Sequence, residues 1–162
     1  MKPDDSLPPP AELHSGVDHR LPFITELQEL IATHHLEGYT GFEYATGQPT
    51  TLDLWWVGPL PADVKHLVAR SGLEVKLHAA TVTEADLSSV AALLKAAAPA
   101  IEDSAIEVSL TTETVGIRWT VSRADVSRAR ETADSVRDVA PTGPRIQVTV
   151  QARPNLPPQI AF

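Results

Sequence analysis

Residues 41–79 read GFEYATGQPTTLDLWWVGPLPADVKHLVARSGLEVKLHA, and the order of elements in that stretch decides the fold. Phe42 and Tyr44 share one parity of a short strand. The segment ATGQPT that follows holds Gly47 and Pro49, both turn formers. The next strand alternates: Leu52, Leu54 and Trp56 face one side, and Asp53, Trp55 and Val57 the other. Gly58 and Pro59 end it. Pro61 opens a helix with a stripe of Val64, Leu67 and Val68, and Gly72 closes it. The third strand puts Leu73, Val75 and Leu77 inward and Glu74, Lys76 and His78 outward. Such alternation marks a sheet with one covered face and one wet face.

Residues 105–152 repeat that order with different side chains. Ile106, Val108 and Leu110 alternate with Glu107, Ser109 and Thr111, and TTET forms the turn. Val115, Ile117, Trp119 and Val121 alternate with Gly116, Arg118 and Thr120. Ser122 and Asp125 are spaced as a capping box ahead of a helix striped by Val126, Ala129, Ala133 and Val136. Gly143 and Pro144 break the chain before a last strand that buries Ile146, Val148 and Val150. Leu52, Leu54 and Trp56 register with Val115, Ile117 and Trp119, so the repeat is one of pattern. The fold class is α+β: two ββαβ repeats forming an open-faced antiparallel and mixed sheet, with helices packed on one face. The crossover from second to third strand is expected to be right-handed.

Around these units the chain is simpler. Residues 1–20 are Pro-rich and acidic, and read as a disordered tail. A first helix is expected from Pro22 to Leu36, with Ile24, Leu27, Ile31 and His34 on one face and Gly38 as its stop. Residues 83–101 read as a joining helix, with Thr83 and Asp86 as a capping box and Leu87, Val90, Leu94, Ala97 and Ile101 as its stripe. The α+β body spans residues 21–153. Residues 154–162 form an extended tail in which Pro157 and Pro158 precede Ile160, Ala161 and Phe162.

Composition narrows the function classes. The 162 residues are enough for one domain without a metal or disulfide to hold it. The absence of cysteine removes thiol nucleophiles and zinc–thiolate sites. A net charge of −8 with no basic run repels a phosphate backbone, so no nucleic acid partner is expected. No apolar run approaches the ~18 residues that span a bilayer, so no membrane partner is expected either. MKPDDSLPPP has no apolar centre and is not a signal peptide. The expected location is cytoplasmic for the chain as written, and extracytoplasmic if it is an excised fragment.

No GxSxG, GxxxxGK[ST] or GxGxxG motif occurs. His34 and His35 are adjacent and point about 100° apart on a helix, too divergent to share a metal. His14 and His19 fall in the tail. No catalytic residue, cofactor or metal ligand is therefore assigned. The aromatics say more. Trp56 and Trp119 follow the inward parity and belong to the core. Trp55 has the opposite parity, which places it on the wet face beside Val57 and Tyr39 as a candidate protein-binding surface. Ile160 and Phe162 are spaced as alternate anchors of a docking tail.

The unit resembles the pro-region of α-lytic-type bacterial serine proteases. The matching residues are Gly41-Phe42, the strand Leu52-Asp53-Leu54-Trp55-Trp56-Val57-Gly58, the helix from Pro61, and Gly72-Leu73-Glu74-Val75. The helix from Thr83 to Ala98 and the strands from Ile106 to Val121 extend the likeness, which covers residues 40–121. The resemblance implies a folding chaperone and inhibitor whose sheet extends that of a protease and whose C-terminal tail lies in the substrate cleft. The expected function is thus a non-catalytic protein-binding module with a protease-like partner. A small enzyme with a site at the interface of the two repeats is the alternative. A self-assembling structural subunit, a homo-oligomer formed through the same sheet face, is the third reading.

Overall fold

The computed structural model describes residues 18, 20–140 and 146–154. It is an α+β fold of two three-stranded mixed sheets, one from each repeat. In the first repeat, helix α1 (Arg20–His34) precedes strands β1 (Tyr39–Tyr44) and β2 (Thr51–Val57), helix α2 (Ala62–Arg70) and strand β3 (Glu74–Ala80). In the second, α3 (Glu84–Ala97) precedes β4 (Ala105–Leu110), β5 (Val115–Val121), a 3-10 turn (Arg123–Asp125), α4 (Val126–Val139) and β6 (Gln147–Ala152). Each hairpin pairs antiparallel and each crossover parallel, so β2 and β5 are central.

The repeat is longer than its strands suggested. Phe23, Ile24 and Leu27 of α1 pack with Leu52, Leu54 and Trp56 in one core. Leu87, Val90 and Leu94 of α3 pack with Ile117, Trp119 and Val121 in the other. The helix read as a joining element is therefore the first element of the second unit, and the unit is αββαβ. Trp56 and Trp119 are both buried, as their parity requires.

Local signals account for the element ends. Thr83 caps α3 in a full capping box: its hydroxyl accepts the Asp86 N–H at 3.2 Å, and the Asp86 carboxylate accepts the Thr83 N–H at 2.9 Å. Ser122 and Asp125 do not form the second box. The Ser122 hydroxyl donates to the Asp125 carboxylate instead, at 2.6 Å, and a 3-10 turn precedes α4. Helix α1 ends at His34, and its stop is His35, not Gly38. His35 adopts the left-handed conformation, with φ 52°, and the Leu36 N–H reaches back to the Ile31 carbonyl at 3.1 Å. Gly38 has a different use. It lies against the Trp56 indole, and a Cβ there would stand 2.7 Å from the Val57 carbonyl.

One inward expectation is corrected. Leu77 shares the helix-side parity of Leu54, its neighbour on β2, yet it is 52% exposed. It lies on the edge strand, where the helices that bury Leu52 and Leu54 do not cover it. Val108, opposite Ile117 on edge strand β4, is 47% exposed for the same reason. The Gly143-Pro144 break, the N-terminal tail and the C-terminal tail with Ile160 and Phe162 lie outside the described residues. Among the described residues no helix is long and apolar enough to cross a membrane.

Candidate functional site

The face of the first sheet turned away from its helices carries Asp53, Trp55 and Val57 on β2, with Lys76, His78 and Ala80 beside them on β3. The alternation makes this the wet face, and at Trp55 that expectation fails. Trp55 is 3% exposed. Its ring stacks on His78 with centroids 4.6 Å apart, and its indole N–H donates to the Thr111 carbonyl of the second repeat at 3.1 Å. The second repeat covers the face here. Leu110, just before Thr111, lies against Gly41, where a Cβ would approach within 2.7 Å of a Leu110 methyl. The glycine lets the two units meet closely.

His78 also contacts Asp53, with Nε2 2.6 Å from a carboxylate oxygen, and both side chains are about one-fifth exposed. A carboxylate–imidazole pair can hold or relay a proton. No hydroxyl among the described residues is hydrogen-bonded to that ring, so the nucleophile a triad needs is not engaged. The pair is instead built into the junction: Asp53 fixes the imidazole edge, and the imidazole face supports Trp55.

Tyr39 is also buried, and away from Trp55. Strand β1 carries a bulge between Tyr39 and Gly41, so that Tyr39 pairs with Trp56 and Gly41 with Trp55. The extra residue, Thr40, is buried and donates its hydroxyl proton to the Val82 carbonyl at 2.7 Å. The bulge turns Tyr39 to the helix side, where its ring meets Trp56 edge-on at 6.2 Å.

At this end of the sheet Tyr39 and the half-buried Val57 both line a cleft of about 730 Å³ between the end of α1 and the start of α3. Ile31 and Leu36 supply apolar wall, and Glu37, Glu84 and Asp86 supply carboxylates. Burial, and then the charge of Glu84, push the Tyr39 phenol up to about 12. Of the residues first read as one binding surface, the structure thus unites Tyr39 and Val57 and buries Trp55 elsewhere. The carboxylates of this cleft escaped the sequence reading, because the helix ends that bring them together are 40 or more residues apart; the Thr83–Asp86 cap was the one local signal in it.

No group of three or more His, Asp or Glu side chains able to hold a metal occurs among the described residues. Compared with protein-family models and with curated proteins, the chain matches none.

Proposed function

We propose that the chain is a non-catalytic protein-binding module, similar in plan to the pro-region of α-lytic-type serine proteases. Its binding element is a free sheet edge. One observation carries the reading. Strand β3 pairs only with β2, and its other side has no strand partner among the described residues. That edge carries a half-exposed leucine, Leu77. Unpaired backbone groups beside an exposed apolar side chain are a template for an extended segment of another chain. Seven residues of edge suffice to pair with one strand of a partner sheet.

The enzyme reading draws on one specific observation, the Asp53–His78 pair at the junction of the repeats. That pair is built into the junction, with Asp53 on one ring nitrogen and Trp55 stacked on the ring face, and no hydroxyl among the described residues is bonded to it, so the binding module is preferred.

The test mixes the full chain with an α-lytic-type bacterial protease and follows peptide hydrolysis and refolding yield. The module should inhibit hydrolysis, and Leu77→Lys should weaken inhibition at least tenfold while leaving the melting temperature within a few degrees. Amides of β3 should exchange more slowly in the complex. Equal inhibition by the lysine variant would remove the edge from the interface. A lack of both inhibition and refolding assistance would remove the pro-region reading. A concentration-dependent dimer lost in Leu77→Lys would assign the edge to a second copy of the chain.

A further inference from the structure

The cleft between α1 and α3 carries an assignment of its own. Its floor is Tyr39, only 8% exposed, whose hydroxyl enters no hydrogen bond among the described residues. The ring is buried but the hydroxyl oxygen is not enclosed, which leaves it open to a partner from solvent. Here it fronts an open cavity large enough for a side-chain-sized ligand.

The lining decides the sign of the ligand's charge. A helix N-terminus ordinarily attracts anions, but α3 is already capped by Thr83 and Asp86, and its first residue is Glu84. Across the cleft lies the C-terminal end of α1, whose dipole favours cations. Glu37 and Glu84 are exposed carboxylates on the rim, and His35 is the one basic side chain in the lining. An anion would meet three carboxylates, so a cation is the complementary ligand.

The apolar wall decides the rest. Ile31, Leu36 and Val57 offer contact to a methylene stem, and Tyr39 offers its hydroxyl oxygen as an acceptor. A guanidinium suits this set better than an ammonium. It is planar and weakly hydrated, and its forked donors can reach a carboxylate and a phenol oxygen together. We infer that the cleft between α1 and α3 is a binding site for an alkylguanidinium group, the side chain of an arginine presented by a polypeptide partner. Only the polypeptide source rests on the binding-module reading; the preference for the cation rests on the cleft.

The test titrates the ¹⁵N-labelled full chain with n-butylguanidinium, with n-butyrate and n-butanol as controls. Saturable shifts should appear at amides 31–39, 57 and 83–86, with butyrate inert and butanol far weaker. Glu84→Gln and Tyr39→Phe should each weaken binding at least threefold while leaving the rest of the spectrum in place. Shifts that do not saturate, or equal shifts with butyrate, would overturn the site. A second arm uses a blocked hexapeptide with a central arginine and the same peptide with alanine there. Binding tenfold tighter than the free ion, lost in the alanine peptide, supports the polypeptide source. A peptide no tighter than the free ion overturns that source and leaves a small-molecule cation. Leu77→Lys should not change the butylguanidinium titration, which keeps failure of the edge-strand reading distinct from failure of this one.

Discussion

Trp55 of the first repeat donates its indole N–H to the carbonyl of Thr111 in the second, at 3.1 Å. The ring belongs to neither hydrophobic core, yet it is only 3% exposed. It fills the contact between the units, held from below by His78. Two further links cross the same boundary: Thr40 to the Val82 carbonyl, and Gly41 against Leu110. A junction of this kind couples the unfolding of two cores that would otherwise open separately.

The first prediction concerns that coupling. Removing the Trp55 ring should cost about 3–5 kcal/mol, the ordinary range for truncating a buried tryptophan to alanine. Trp56→Ala and Trp119→Ala should cost similar amounts. Only Trp55→Ala should also split chemical denaturation into two transitions, followed by far-UV circular dichroism and by fluorescence. A single transition with a small loss would mean that Trp55 is not the link between the repeats.

A second comparison separates the hydrogen bond from the ring. The Trp119 indole nitrogen is buried without a hydrogen-bond partner among the described residues, whereas that of Trp55 has one. Both Trp→Phe changes lose ring volume. Trp55→Phe also loses the bond to the Thr111 carbonyl, worth about 0.5–1.5 kcal/mol because water can reach that exposed residue, while Trp119→Phe relieves a buried unsatisfied donor worth about 1–3 kcal/mol. Trp55→Phe should therefore be the more destabilising of the two in urea titrations. The reverse order would show that shape, not polarity, governs both sites.

Gly41 and Leu110 should behave as a pair. A Cβ at Gly41 would meet a leucine methyl at 2.7 Å, the mobile end of a side chain and not backbone. Gly41→Ala should cost about 1–3 kcal/mol by overpacking. In Leu110→Ala the same change should cost less, with a coupling of at least about 0.5 kcal/mol in a double-mutant cycle. Additive losses would place the cost in the Gly41 backbone.

These sites also mark what the chain reveals before it folds. The alternation in residues 52–57 and 115–121 identified both as strands, though not as the central ones, and gave the inward side of Trp56 and Trp119, because one face of each sheet meets helices of its own repeat. The burial of Trp55 depends on the other repeat, which no local period reports. A hint was present in Trp55-Trp56-Val57, a continuous apolar run of the kind that strands covered on both faces carry. Tyr39 was set beside Trp55 on the wet face, and the bulge at Thr40 turns it to the helix side instead. Leu77 has core parity and sits at an edge, a matter of how far the helices reach. The Thr83–Asp86 box was fully legible, since both partners lie within one helical turn. The Ser122–Asp125 pair has the same spacing, but its side chains bond each other. The cleft at Tyr39 assembles helix ends from different repeats, so its lining could not be read from any one stretch.

The last prediction takes Tyr39 as a reporter of that cleft. Burial is the larger cause of its raised pKa and the Glu84 charge the smaller, and together they push it up to about 12 from an ordinary value near 10. The sign of the linkage follows from which state holds the proton more tightly. Between those two values the folded chain keeps the phenolic proton and the unfolded chain has released it. The stability associated with Tyr39 is thus fully present below about pH 10 and is lost as the pH rises toward 12. Absorbance titration near 295 nm should show one of the two tyrosines ionising late, and Tyr39→Phe should lack that step. Denaturation across the same range should show a decline in the parent chain that is shallower in Tyr39→Phe. Glu84→Gln should move the late step down by a smaller amount than unfolding does, since it removes the charge and leaves the burial. A late step that survives in Tyr39→Phe would assign it to another group, and a Glu84→Gln step that falls to the ordinary value would make charge, not burial, the dominant cause.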